Sequence, residues 1–183
     1  LNPQIITRYK AQEYLKSGIL ELEEPKPMDS FVGYDNLKNY IYDIKDSFFR
    51  ESKYNLPSPK GILLVGSPGV GKTLASRAIA SNLNLMLLKA DLGKVFSQYV
   101  GSSEKNIRTL ISITERMSPV VLRVDEIEKQ MAGMGSGGQN DSGVTDRVFA
   151  PLLSWMQDRT ASVFTIATAN DISSLRPEML RKG

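Results

Sequence analysis

The chain has 183 residues, of which 41% are hydrophobic and 23% charged, the composition of a single folded domain with a sizeable core. With 23 Lys and Arg against 20 Asp and Glu, the formal charge is +3, and no basic run marks a nucleic-acid stripe. The absence of Cys and His excludes disulfides, thiolate or imidazole metal sites and Ser-His-Asp or Cys-His catalysis. Chemistry is left to carboxylates, Lys, Arg, Asn, hydroxyls, backbone N–H groups and a borrowed metal. No apolar run approaches the roughly 20 residues that span a bilayer. The chain starts at Leu1 without a signal-peptide pattern, so it is expected to be an internal fragment.

In chain order, residues 3–17 read as a helix ended by Ser17-Gly18, and Ile19 to Leu22 as a short extended piece. Glu23 to Pro27 reads as a linker, since two prolines forbid regular pairing. Leu37, Ile41, Ile44 and Phe48 recur at helical spacing and predict an amphipathic helix over Asp35–Arg50. Asn55 to Lys60 is a loop. Gly61–Val65 is a short apolar strand, Gly66 to Gly71 a turn, Lys72–Leu83 a helix and Leu85–Lys89 a second strand. Ser102 or Ser103 can cap a helix to Met117, and Val120–Val124 is a third strand. Residues 133–143 hold five glycines and read as a mobile loop. Thr145–Asp158 is a helix in which Pro151 predicts a kink or a late start. Ser162–Thr168 is a fourth strand, and Arg176–Lys182 a final short helix. Strands alternating with helices predict an α/β fold, a parallel sheet covered on both faces.

Gly66-Ser67-Pro68-Gly69-Val70-Gly71-Lys72-Thr73 fits G-x-x-x-x-G-K-[ST] in full, between a strand and a helix. Its glycines let the backbone curl around an anion, with N–H groups and the helix N-terminus aimed at phosphate oxygens. Lys72 is expected to meet the β- and γ-phosphates, and Thr73 to offer a hydroxyl to Mg²⁺. Val120 to Val124 delivers Asp125 and Glu126 at a strand's C-terminal end, where open α/β sheets bind ligands. Beside a phosphate loop, Asp125 is expected to hold the metal and Glu126 to orient or deprotonate a water. Asn170 ends the next apolar strand and either contacts the γ-phosphate or lytic water, or is a turn or cap residue. Arg123, charged inside an apolar strand, needs a partner, and a structural ion pair is the favoured reading.

On these residues the chain resembles the AAA family of P-loop ATPases. Gly66–Thr73 is similar to its Walker A motif, Val121–Glu126 to Walker B, Ala167–Asn170 to sensor 1, and Leu175–Gly183 to the second region of homology. A closer resemblance, carried by Lys16–Glu21, Gly33–Lys38 and Leu180–Gly183, is to the AAA group known as a hypothetical chloroplast reading frame. The resemblance implies a P-loop large subdomain over residues 28–183, preceded by an N-terminal helix and linker over 1–27 and truncated before a helical lid. It implies Mg²⁺-dependent ATP hydrolysis with ATP held by Pro68, Gly69, Val70, Gly71, Lys72, Thr73 and Leu74. Ser30, Phe31 and Val32 match the adenine-packing segment, although the family usually has Gly where Val32 stands. Arg181 matches an arginine finger acting on a neighbour's nucleotide, so a hexameric ring is implied. Tyr99-Val100-Gly101 matches the aromatic–hydrophobic–glycine pore loop that grips substrate polypeptide, and residues 133–143 occupy the second pore-loop position. Arg123 departs from the apolar residue usual in Walker B. The expected function is a ring-forming, protein-remodelling ATPase of the cytoplasm or plastid stroma, the alternative an ATP-dependent assembly switch with slow hydrolysis.

Overall fold

The structure, a computed structural model, describes residues 15–49, 58–96, 100–132, 142–173 and 175. The predicted helices over 3–14 and 176–182, most of the glycine-rich segment 133–143, Tyr99 and Arg181 lie outside the described residues.

Among the described residues, five strands form one sheet: β1 (Leu20–Glu23), β2 (Gly61–Val65), β3 (Met86–Ala90), β4 (Val120–Val124) and β5 (Val163–Ala169), in the spatial order β1-β3-β4-β5-β2. β2 to β5 are mutually parallel, as the alternation of strands and helices predicts. β1 is the difference: it pairs antiparallel with β3, Leu20 opposite Ala90 and Glu23 opposite Leu87. The sheet is therefore mixed, and the extended piece before the proline linker closes its edge. A strand that enters without a crossover helix is free to pair antiparallel.

The helices are α1 (Asp35–Phe49), α2 (Lys72–Asn82), α3 (Leu92–Val95), α4 (Val100–Arg116), α5 (Ile127–Ala132) and α6 (Ser142–Asp158). Alternate strand residues feed two cores. Leu87, Val121, Phe164 and Ile166 pack with Ile41, Ile44 and Phe48 of α1 and Ile79 and Leu83 near α2. On the other face Leu88, Val120, Leu122, Val124 and Val163 pack with Ile107 and Leu110 of α4 and Leu152 of α6. This two-sided burial is why the strands read as unbroken apolar runs.

Two helix starts differ from the sequence reading. α4 begins at Val100, so Ser102 and Ser103 lie inside its first turn instead of capping it; the first four N–H groups of a helix have no helical partner, so serines fit there. α6 begins at Ser142 and runs through Pro151. Packing outweighs proline's local preference: Leu152 is buried, and Trp155 Nε1 donates to Glu115 Oε1 of α4 at 2.8 Å. At the far end of the sheet, Gly61 lies so close to β5 that a Cβ there would sit 2.2 Å from the Thr165 carbonyl oxygen.

Candidate active site

Because β2, β5 and β4 are parallel neighbours, their carboxyl ends open on the same side. β2 runs into the phosphate loop, β4 into Asp125 and Glu126, and β5 into Asn170. Three segments far apart in sequence therefore converge at the edge where α/β sheets bind ligands.

The loop from Gly66 to Gly71 ends with Gly71 at φ 93°, the left-handed conformation that a Cβ disfavours. That turn starts α2 at Lys72 with free N–H groups facing outward. The Lys72 ammonium folds into the loop mouth and donates to the Gly66 carbonyl, to the Ser67 carbonyl at 3.0 Å and to Asn170 Oδ1 at 2.9 Å. A cation so placed can exchange carbonyl partners for phosphate oxygens without moving its backbone.

The opposite wall is a chain of side chains. Asn170 Nδ2 donates to Glu126 Oε1 at 3.2 Å, so Asn170 joins Lys72 to Glu126. The Asn170 N–H donates to Glu128 Oε1 at 2.9 Å, which fixes the turn after β5. Thr168 Oγ1 accepts from the Glu126 N–H at 3.1 Å and donates to Asp125 Oδ1 at 3.2 Å. Glu126 sits at φ 48°. That conformation costs a non-glycine residue about 1–2 kcal/mol, which the Thr168 bond helps to offset. Lys129 Nζ lies 2.7 Å from Glu126 Oε2. Hydrogen bonds from Lys129, then Asn170, hold the Glu126 carboxyl below the usual carboxylate range.

A cavity of about 760 Å³ lies between the two walls. Pro68, Gly69, Gly71, Lys72, Thr73, Leu74, Asp125, Glu126 and Asn170 line it, so most of the residues predicted for phosphate, metal and water meet in one place. It also takes in Lys26, Arg77, Lys89, Asp91 and Thr168, to which the sequence reading gave no role. Of these, Thr168 had a readable signal: a hydroxyl in an apolar strand, two residues before Asn170. A second groove of about 530 Å³ runs along α4, and among the described residues that helix lines it.

Phe31, Val32 and Val70 lie outside the cavity lining. Phe31 is 4% exposed, packs with Ala75 and Ala78, and stacks on Tyr34 with ring centroids 5.0 Å apart. Val32 is exposed, and neither residue lines the cavity. Val70 lies outside the lining too; its carbonyl accepts from Tyr34 Oη at 2.9 Å, so the Phe31–Tyr34 segment braces the phosphate loop. Val100 and Gly101 are the first residues of α4. Arg123 forms the expected ion pairs, with Glu23 and with Asp125.

The donor set suits a hard divalent cation. Thr73 and Asp125 offer oxygen ligands, and among the described residues no cluster of three or more His, Cys, Asp or Glu forms a cage by itself. That fits a cation held by one or two protein oxygens together with phosphate oxygens.

Comparison with known proteins agrees with this geometry. Residues 62–183 match the model of the ATPase family associated with various cellular activities (AAA). The chain is 44% identical over 181 residues to the uncharacterized AAA domain-containing protein ycf46 of Pyropia yezoensis, covering 98% of this chain and 36% of that protein. It is 42% identical to the ycf46 protein of Guillardia theta, with 98% and 35% covered. The chain thus spans about a third of the length of these relatives. The crystal structure of the FIGL-1 AAA domain superposes with a TM-score of 0.69 at 23% identity, over 92% of this chain and 56% of that one. The same domain in complex with ADP gives 0.67 at 22% identity, over 92% and 57%. Motif order, sheet topology and these matches lead to one conclusion: the chain belongs to the AAA family of ATPases.

Proposed function

We propose that residues 28–183 are the nucleotide-binding α/β subdomain of a ring-forming ATPase that remodels protein substrates, with 1–27 leading into it. The observation that carries this reading is the link Lys72–Asn170–Glu126, which joins the phosphate-binding wall to the carboxylate wall in one cavity. Lys72 and the loop N–H groups bind the β- and γ-phosphates of ATP. Thr73 and Asp125 hold Mg²⁺, which neutralises charge on the phosphate oxygens when bound. Glu126 takes the proton of the attacking water, and Asn170 fixes where that carboxylate points. Arg181 acts on the nucleotide of the next subunit, and a hexamer is the expected ring. Tyr99-Val100-Gly101 is the segment offered to a polypeptide. The cytoplasm or plastid stroma is the proposed compartment, supported by likeness to the ycf46 proteins.

ATPase activity of the full-length protein, measured against protein concentration, tests this reading. Specific activity should rise steeply as subunits assemble, and Tyr99→Ala should remove substrate-stimulated turnover. Activity independent of concentration would sink the shared-site ring. A second reading has its own support: Lys129 and Asn170 both occupy Glu126. A base so engaged suits an assembly switch with slow hydrolysis. Nucleotide binding with little turnover at every concentration would favour it.

A further inference from the structure

Arg123 is the charged residue in a strand that is otherwise Val and Leu, and its side chain is 3% exposed. A guanidinium buried there needs carboxylate partners. Among the described residues it has two. Nη1 donates to Glu23 Oε2 on β1 at 2.5 Å, and Nη2 donates to Asp125 Oδ2 at 2.7 Å. The register explains the meeting. Glu21 is paired with Lys89 and Lys89 with Arg123, so odd-numbered β1 residues share a face of the sheet with Arg123. Arg77 of α2 also reaches Glu23 Oε2, at 3.5 Å. Glu23 itself does not line the cavity.

One guanidinium is therefore shared between a carboxylate at the sheet edge and the carboxylate read above as the metal holder. A cation at Asp125 must compete with Arg123 for the same negative charge, and the Glu23 carboxylate offsets the arginine from behind. We propose that Glu23 is a positioning residue for the divalent-cation site: by holding Arg123, it leaves the Asp125 carboxylate free enough to bind metal. The antiparallel strand β1 is thereby part of the metal site's electrostatics although it supplies no ligand. This inference rests on the reading that Asp125 holds the cation.

The test uses the full-length protein with ADP and Mn²⁺ as the probe, with free Mn²⁺ followed by electron paramagnetic resonance. Glu23→Gln keeps an acceptor for Arg123 but removes its charge. It should weaken Mn²⁺ binding about fivefold, the size of one partly shielded ion pair, while metal-free ADP affinity stays put and the melting temperature falls, because a buried guanidinium loses one of its counter-charges. In an Arg123→Gln background the same change should have no effect on Mn²⁺. Where Arg123→Gln does not fold, Arg123→Lys, which cannot bridge both carboxylates, should shrink it. Unchanged Mn²⁺ binding in Glu23→Gln, or an equal loss in both backgrounds, overturns the inference. Asp125→Asn separates the two levels: if it leaves Mn²⁺ binding intact, the underlying metal assignment fails; if it abolishes binding while Glu23→Gln does nothing, only the role of Glu23 fails.

Discussion

The two walls of the cavity are built by different means. The phosphate loop is contiguous, Gly66 to Thr73, and its binding groups are chiefly backbone N–H groups presented by a strand, a turn and a helix start. The facing wall is assembled from Asp125, Glu126, Lys129, Thr168 and Asn170, whose groups are side chains tied to one another across more than forty positions. The first wall is set chiefly by local conformation, with the Tyr34 bond to the Val70 carbonyl and the Lys72 bond to Asn170 as its ties to distant residues. The second depends on the β4–β5 register, Arg123 opposite Ile166 and Val124 opposite Ala167, and on every hydrogen bond in the chain being made.

That contrast can be broken at its foundation first. Phe164 is fully buried on β5, edge-on to Phe48 at 5.8 Å, and carries no site group. Phe164→Ala should cost about 3–5 kcal/mol of stability. Thermal melting should fall while turnover of the remaining folded protein stays near normal. A specific loss of turnover without loss of stability would mean that the walls are not carried by the core in this way.

A smaller effect is expected inside the second wall. Thr168→Val is nearly isosteric but removes both hydroxyl bonds, leaving the Glu126 N–H without its acceptor and Asp125 Oδ1 without its donor. Each such bond contributes about 0.5–1.5 kcal/mol. Turnover should fall by about an order of magnitude, with ADP affinity little changed. Equal losses in both would tie Thr168 to the phosphate wall instead.

The smallest shift sharpens the electrostatics of Glu126. Lys129 is the leading cause of its lowered pKa, and the base must be unprotonated to accept a proton. In the native protein, activity should be lost only as pH falls through that lowered value. Lys129→Met removes the ammonium, so the carboxyl titrates higher and the acid limb of kcat/KM should move to higher pH. An acid limb that does not move would assign it to another group.

Legibility in the sequence follows the same division. The phosphate loop is readable because its whole geometry lies within eight consecutive residues. The apolar strands β2 to β5 are readable because both faces of the sheet are buried. Asp125, Glu126 and Asn170 are readable as strand-end polar groups, but not the bonds among them, which need the spatial order of the strands. β1 shows the limit well. Its extended character is visible in Ile19 to Leu22, but its antiparallel pairing with β3 and the reach of Glu23 to Arg123, 100 positions away, depend on contacts distant in sequence. The starts of α4 and α6 differ from the sequence expectation by a few residues, because helix ends are the part of an element that sequence codes least sharply. The packing of Phe31 on Tyr34, Ala75 and Ala78 is likewise not legible locally, since it joins two segments more than forty positions apart.

The division of labour between the walls is most directly tested by measuring ADP affinity and single-turnover ATP hydrolysis together in Lys72→Ala and Glu126→Gln. The account predicts that Lys72→Ala loses binding and turnover together. Glu126→Gln should bind nucleotide as the native protein does, yet lose turnover by roughly 100-fold or more. If Glu126→Gln hydrolysed ATP at the native rate, or lost binding as fully as Lys72→Ala, the carboxylate wall would not be the catalytic one.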